Sequence, residues 1–310
     1  MRIVFMGTPD FAAEALDAVY KAGHDITLVV TMPDKPKGRK GEPAPSEVKV
    51  KALELGLPIY QPTSLKNDEA YERLSDEKPD LIVVTAYGKI IPKRILDLPK
   101  YGCINEHASL LPAYRGAAPI QWAILDGLDK TGVTIMYMGE GLDTGDMITK
   151  CEVKIEPYDT SESLFDKLSK EGAKLLADTI ALIGEGKANR TPQPELSTTP
   201  YARMITKADG IIDFNRTAKE LDCFVRGMNS WPCAYTHLNG KLLKIWMAGP
   251  LCENSGNEPG TVIKADKDGL YIQTGDGILS VKELQIEGKK KMDYETFLRG
   301  CKIETGTKLC

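Results

Sequence analysis

The chain is organised around residues 103–146, which begin with CINEHASLLPAYRGAAPIQ (103–121) and end with GEGLDTGD (139–146). In the first of these runs, Asn105 and His107 stand two positions apart. Alternate side chains of a strand share a face, so the amide and the imidazole are predicted to project together. The sequence SLLP at 109–112 then interrupts the strand, and AAPIQWAIL at 117–125 predicts a helix.

A carboxylate in the second run completes a candidate site. Asp143 lies in the glycine-rich loop that ends the stretch. An amide can donate to a developing oxyanion, an imidazole can move a proton near neutral pH, and a carboxylate can orient or accept. The alternatives are ordinary ones, since histidines near strand ends are often structural and aspartates between glycines often shape turns. The spacing therefore predicts a site suited to acyl transfer without naming the reaction.

Longer motifs around these residues resemble the folate-dependent formyltransferases. They are NEHASLLP at 105–112, RGAAP at 115–119 and GLDTGD at 141–146. Two outer stretches, FMGTPDFA at 5–12 and TMPDKPKGRKGEPAPSEVKV at 31–50, narrow the resemblance to the branch that formylates charged initiator tRNA. The resemblance runs essentially from end to end of the chain.

One residue departs from the family pattern. Where the family usually has an aliphatic residue between the amide and the imidazole, Glu106 stands here. Strand alternation turns its side chain toward the face that packs inward. Because an unpaired buried carboxylate is costly, Glu106 is expected to be paired or protonated, or else to perturb the strand locally.

The N-terminal part alternates buried-type strands with helices. Strands are predicted at 2–6, 25–31, 58–60 and 81–85, and helices at 11–22, 48–55 and 69–75. This order predicts an α/β, Rossmann-like, mainly parallel sheet with helices on both faces, which binds ligands at the carboxyl ends of its strands. The first turn is GTPD and lacks the G-x-G-x-x-G fingerprint, which argues against a dinucleotide enzyme.

A basic loop follows the second strand. Residues 32–46 carry Lys35, Lys37, Arg39 and Lys40 among prolines and glycines, a composition typical of an exposed, non-helical segment. Taken alone, this is a solvated basic loop. The family resemblance implies that it enters the acceptor stem of the initiator tRNA, with Arg39 as the leading contact and Lys37 and Lys40 beside it.

The C-terminal part changes character. Residues 184–200 are rich in turn formers, and short β-like runs after them are separated by glycine, asparagine and aspartate. We predict a catalytic domain at 1–184, a linker at 185–205 and a small, oligonucleotide-binding-like β-barrel at 206–310 that contacts tRNA. Lys289 and Lys290 form a second cationic cluster, which is otherwise a solvated turn, and Trp231 is expected in the core.

Composition and charge limit which kinds of partner, metal site and cellular location the chain can have. The net charge is −4 and the pI is near 5.6, so any positive surface for RNA must be local. The seven cysteines include no C-x-x-C pair, which predicts neither a zinc site nor a disulfide framework. With no signal-like segment and no run of roughly 20 apolar residues, we expect a soluble, cytoplasmic protein. No obligate protein partner is expected, so the chain is predicted to act as a monomer.

By resemblance, the activity is transfer of the formyl group of 10-formyltetrahydrofolate, a co-substrate, to the methionine α-amine of initiator methionyl-tRNA. No metal is implied. Asn105, His107 and Asp143 are the implied catalytic residues. The implied folate contacts are Ser109, Leu110, Leu111, Pro112, Tyr87 and Gly88, the last two through their backbone. Alternatives are formylation of an amino-sugar nucleotide or other small amine, release of formate from the same folate, and a tRNA-binding homologue impaired by Glu106.

Overall fold

A computed structural model describes residues 1–37 and 42–309, which divide into two compact units. The first comprises Met1–Pro119, Lys130–Lys154 and Phe165–Ala202, and the second comprises Ile120–Asp129, Ile155–Leu164 and Arg203–Cys310. The predicted linker residues up to Ala202 thus count with the first unit. The domain boundaries drawn from the sequence stay a prediction.

The first unit contains a seven-stranded sheet. Its strands are β1 (Arg2–Gly7), β2 (Asp25–Val30), β5 (Ile59–Tyr60), β6 (Leu81–Thr85), β7 (Cys103–His107), β8 (Lys130–Tyr137) and β9 (Met147–Lys154), in the order β5-β2-β1-β6-β7-β8-β9. The five strands from β5 to β7 in this order pair in parallel. The strand β8 pairs antiparallel with β7, and β9 pairs antiparallel with β8. A hairpin of β3 (Lys35–Lys37) and β4 (Glu42–Ala44) pairs apart from this sheet.

Helices connect the strands: α1 (Asp10–Lys21), α2 (Glu47–Glu54), α3 (Asp68–Asp76), α4 (Lys93–Leu96), α5 (Pro119–Leu125) and α6 (Ser161–Gly184). The central strands are apolar runs buried along nearly their whole length, as in LIVVT of β6. Such strands need cover on their faces. Within this unit, residues of α3 and α4 pack against the central strands, and α1 contacts β1 and β6. None of the helices in the described part of the chain combines the length and apolar composition of a membrane span.

The strand β7 lies where the sheet changes direction. It pairs in parallel with β6, through Val84 and Asn105, and antiparallel with β8, through His107 and Thr134. Its carboxyl end therefore shares a rim with the carboxyl ends of the other parallel strands, where such sheets bind ligands. The candidate site lies at this end.

The second unit is antiparallel. Its strands are β10 (Ala234–Leu238), β11 (Lys241–Leu251), β12 (Val262–Asp266), β13 (Gly269–Gln273), β14 (Ile278–Ile286) and β15 (Met292–Asp293), in the order β10-β11-β14-β13-β12 with β15 on β14. It also contains α7 (Ala218–Gly227), α8 (Tyr294–Gly300) and a 3₁₀ turn at Lys207–Gly210. The predicted fold class, a mainly parallel α/β domain followed by a small β domain, is confirmed.

The prediction that Trp231 lies in the core is wrong. Its side chain is 54% exposed in the turn between α7 and β10. The neighbouring Cys233 and Ala234 are the residues that pack inside. A short turn can bury only some of its side chains, and an apolar residue type alone does not say which.

Candidate active site

His107 is the last residue of β7 and is buried. Its Nε2 lies 3.0 Å from the carbonyl oxygen of Tyr114, and its Nδ1 lies 3.9 Å from Oδ2 of Asp143. A carbonyl only accepts hydrogen bonds, so this contact places a proton on Nε2. Nδ1 is then the ring nitrogen at which a proton can be gained or lost, and it faces the carboxylate.

Asp143 is held in the loop between β8 and β9 by contacts to its side chain and its backbone. Oδ2 accepts a hydrogen bond of 2.9 Å from the backbone N–H of Gly116, and the carbonyl oxygen accepts one of 2.9 Å from Gln193. Its φ of +53° lies in the left-handed region, which aspartate tolerates better than most residues. These contacts leave the partly buried carboxylate directed at His107.

Asn105 lies two residues before His107 on the same face of β7. It is partly buried, opposite Met136 of β8. Within residues 1–37 and 42–309, the side-chain amide makes no hydrogen bond, so its N–H groups are available to a bound molecule. The structure therefore brings His107 and Asp143 together and places this amide donor on β7, two residues before His107.

Glu106 projects from the opposite face and is only 4% exposed. Thr85 Oγ1 donates a 3.0 Å hydrogen bond to Oε2, whereas Oε1 has no partner among the described residues. Oε1 lies against α6, where a Cβ atom on Gly172 would come within 2.2 Å of it. The burial raises the pKa of Glu106 to about 8, against a smaller opposing effect of Thr85. The pairing of β7 stays regular, so the predicted alternative of a perturbed strand does not apply.

The predicted folate segment after β7 uses most of its polar groups to fix its own shape. The buried Ser109 donates to the carbonyl of Ala113 at 2.6 Å, and Thr134 Oγ1 contacts both Ser109 O and Leu111 N. Leu111 packs with Met136 and Met147, and the peptide between Leu111 and Pro112 is cis. Leu110 is partly buried. A ligand here would meet backbone and apolar surface.

The loop after β6 carries Tyr87 and Gly88. The Tyr87 side chain is buried, and burial raises its pKa to about 12, so its ring belongs to the core. Gly88 is exposed with a φ of +86°. The Tyr87 carbonyl accepts a 3.0 Å hydrogen bond from Thr8 Oγ1, whereas the backbone of Gly88 is exposed. That these two residues bind folate through their backbone stays a prediction.

A cavity of about 250 Å³ adjoins the start of the Asp143 loop. Its lining consists of Lys93, Leu96, Asp97, Gly102, Cys103, Tyr137, Met138, Gly139, Glu140 and Arg190. Apolar side chains, two carboxylates, two cations and loop backbone thus surround one space. This chemistry suits a flat ring system with polar edges.

The structure describes only some of the residues predicted to bind tRNA. The backbone of Lys37 belongs to β3, whereas Arg39 and Lys40 lie outside the described residues. Lys289 and Lys290 lie in the exposed turn between β14 and β15 of the second unit. No group of three or more potential metal ligands occurs in the part of the chain that the structure describes.

Sequence reasoning missed Gln193, although it contacts the Asp143 loop at two points. It stands in TPQPEL at 191–196, where flanking prolines indicate a loop. No local pattern distinguishes a glutamine that reaches a site from one in solvent. Only the folded chain reveals the contact.

Comparisons with known proteins agree over the whole chain. A family model described as formyl transferase matches residues 1–180, and one described as formyl transferase, C-terminal domain, matches 204–302. The methionyl-tRNA formyltransferase of Agathobacter rectalis is 50% identical over 307 residues, covering 99% of each chain. That of Bacillus subtilis is 49% identical over 306 residues, covering 98% of this chain and 96% of its own.

Solved structures share the fold at lower identity. The N-formyltransferase from Helicobacter canadensis, in complex with folinic acid and dTDP-3-aminofucose, has a TM-score of 0.66 at 18% identity. The match covers 90% of this chain and 98% of that one. At this identity, the likeness concerns the fold alone.

Proposed function

Because the chain belongs to the formyl transferase family, we propose that Asn105, His107 and Asp143 carry out formyl transfer at the carboxyl end of β7. The protein is an enzyme that formylates the methionine of initiator methionyl-tRNA, as its full-length relatives at about 50% identity are named. The family resemblance read from the motifs is confirmed. The observation that carries the site assignment is the pair of the buried His107 and the partly buried Asp143, on the same face as the Asn105 amide, which has no hydrogen-bond partner among the described residues.

In the proposed reaction, the α-amine of methionine attacks the formyl carbon of 10-formyltetrahydrofolate. A new C–N bond forms, the bond to N10 of the folate breaks, and the proton lost by the amine is returned to N10. Asn105 donates to the oxygen that becomes negative during attack. His107 accepts the amine proton at Nδ1, and Asp143 stabilises the resulting imidazolium and keeps it oriented.

We further propose that the donor's bicyclic ring occupies the 250 Å³ cavity, with its formyl group directed toward Asn105. Backbone of Gly139 and Glu140 offers hydrogen-bonding groups to a polar ring edge, and Leu96 and Met138 offer apolar contact. The segment from Ser109 to Pro112 and the backbone of Tyr87 and Gly88 would line the approach. The predicted monomeric state and cytoplasmic location stay predictions.

For the acceptor, we propose that the basic loop at 32–46 binds tRNA phosphates. The ends of this loop are tied together: Lys49 Nζ lies 2.7 Å from Asp34 Oδ2, and Gln61 Nε2 lies 2.7 Å from Asp34 Oδ1. Thr31 Oγ1 and Ser46 Oγ are also 2.7 Å apart. A loop anchored at its base can present its cations with less loss of entropy on binding.

In the second unit, Lys289 and Lys290 are proposed to add phosphate contacts. They precede Lys291, which together with Lys244 lies within 6 Å of the Trp246 ring, at 5.5 and 5.8 Å. Cations mixed with an aromatic ring are common on nucleic-acid-binding surfaces. The cationic cluster at Lys289 and Lys290 was predicted from the sequence, but the proximity of Lys244 and Trp246 was not.

The decisive test is formyl transfer from 10-formyltetrahydrofolate to charged initiator tRNA by the purified chain, with a dTDP-amino sugar as competing acceptor. We expect formylation of the tRNA and none of the sugar. Formylation of the sugar alone would make the small-amine alternative correct. Binding of tRNA without transfer would mean that the catalytic site is impaired, with Glu106 as the first residue to revert to an aliphatic one.

Removing one loop cation is expected to weaken tRNA binding selectively. Arg39→Ala should raise KM for tRNA about 10-fold while kcat stays within about twofold, because a phosphate contact acts mainly on binding. The slope of log KM against log salt should fall by about one. The control is Lys174→Ala, which removes an exposed cation from α6 of the same unit. Equal effects of both variants would mean that the loop contributes only to the overall positive charge and makes no specific phosphate contact.

A further inference from the structure

The side-chain amide of Gln193 links the loop of the catalytic aspartate to Arg115. Nε2 donates hydrogen bonds of 2.9 Å to the carbonyl of Asp143 and 2.8 Å to that of Gly145. Oε1 accepts two hydrogen bonds from Arg115, of 3.0 Å from Nε and 2.9 Å from Nη2. Both donors and both acceptor positions of the amide are therefore in use.

Arg115 holds Gln193 in turn. Its buried guanidinium also donates to the carbonyls of Pro194 at 2.7 Å and Glu195 at 3.1 Å. All of these acceptors are neutral oxygens, so these contacts hold the guanidinium by hydrogen bonds and not by ion pairing. The next residue, Gly116, donates to the Asp143 carboxylate. One short segment thus fixes Asp143 directly at its side chain and, through Gln193, at its backbone.

Three further hydrogen bonds tie the segment after Gln193 to the chain around Arg115. Ser197 Oγ donates to the carbonyl of Pro112 at 2.7 Å, and the N–H of Tyr114 donates to Thr199 Oγ1 at 2.6 Å. The N–H of Ala202 donates to the carbonyl of Arg115 at 2.8 Å. Residues 193–202 were predicted as part of a linker. They instead bond to Tyr114, which contacts His107, and to Arg115, which precedes the Gly116 that donates to Asp143.

We propose that Gln193 is a positioning residue that sets the orientation of Asp143 toward His107, which makes residues 193–202 part of the active site. Only an amide fits this role, because the loop carbonyls need two donors and Arg115 needs an acceptor. A carboxylate at this position would keep its bond to Arg115 and set its second oxygen against the two carbonyls. The proposal rests on the proposed function of the His107–Asp143 pair.

The test compares Gln193→Ala and Gln193→Glu with wild type in formyl transfer to charged initiator tRNA. We expect kcat to fall about 10- to 100-fold in both variants, because misplacing a catalytic group by about 1 Å costs on this order. KM for tRNA and for the formyl donor should stay within about twofold. Glu185→Ala, which removes an exposed side chain from the same unit but outside residues 193–202, is the matched control and should behave as wild type.

A double-mutant cycle separates positioning from general support. In an Asp143→Ala background, Gln193→Ala should lower kcat by less than about twofold, since no carboxylate is left to orient. An equal loss in both backgrounds, or no loss in wild type, would overturn the proposal. If Gln193→Ala does not fold, Gln193→Glu carries the same comparison because its bond to Arg115 is kept. Failure of wild type to formylate tRNA would instead refute the proposed function.

Discussion

Replacing His107 with alanine is expected to lower kcat for formyl transfer by about 10²- to 10⁴-fold, the usual contribution of a positioned acid–base group. The reason lies in the geometry: the bond from Nε2 to Tyr114 O leaves Nδ1 as the site of proton exchange, 3.9 Å from Asp143. Binding should change little, because the imidazole acts on the proton that moves during attack. Single-turnover rates at saturating donor and charged tRNA measure this step without interference from product release.

His24→Ala is the matched control, because it removes another of the three histidines from the same unit but outside the site. Asp143→Ala combined with His107→Ala should be no slower than His107→Ala alone, since the carboxylate works through the imidazole. A loss below about 10-fold for His107→Ala would assign the proton transfer to solvent or to the substrates themselves. If the double variant instead loses activity by the product of the two single-variant losses, the two residues act separately.

Local patterns predicted the strand that carries the site. The alternation through Asn105 and His107, and the apolar runs of β1 and β6, depend on neighbours in sequence and on burial of one or both faces. Such information is enough to place polar residues at the carboxyl end of a parallel strand. It also turned Glu106 inward, where the structure places it.

The contacts that assemble the site could not be predicted in this way. Asp143 meets Gly116 across 27 positions and Gln193 across 50. Hydrogen bonds over such separations depend on how loops pack, for which a sequence has no periodic signal. The named reaction came from the family resemblance, since an amide, an imidazole and a carboxylate fit several acyl transfers.

Glu106 shows how one residue can be tolerated on a strand that otherwise obeys the family pattern. A charged carboxylate in this position would face α6 with one oxygen unpaired, at a cost far above that of a neutral acid. Keeping the proton avoids most of this cost, and burial accordingly raises the pKa of Glu106 to about 8. Glu106 is thus expected to destabilise the folded chain least at low pH.

The pH dependence of folding should reveal this proton. The pKa of Glu106 is about 8 in the folded chain against an ordinary value of 4.5, so between these values the unfolded chain releases a proton that the folded chain keeps. Stability contributed at this position is therefore complete below about pH 4.5 and falls as pH rises toward 8. At about 1.4 kcal/mol per unit, the loss amounts to roughly 3–5 kcal/mol.

Glu106→Gln, which keeps the shape and an acceptor for Thr85 but cannot ionise, isolates this effect. The difference in free energy of unfolding between Glu106→Gln and wild type, from urea titrations, should grow by roughly 3–5 kcal/mol between pH 5 and pH 8. Glu152→Gln, on an exposed carboxylate of β9, should give a difference that hardly changes with pH. A constant difference for Glu106→Gln would mean that the buried carboxylate is charged throughout and that the strand next to His107 accommodates it. A growing difference would also predict that Glu106→Gln keeps formyl transfer active at alkaline pH, where wild type begins to unfold. The reason is that Glu106 and His107 are neighbours on β7, so loss of this strand also removes the imidazole.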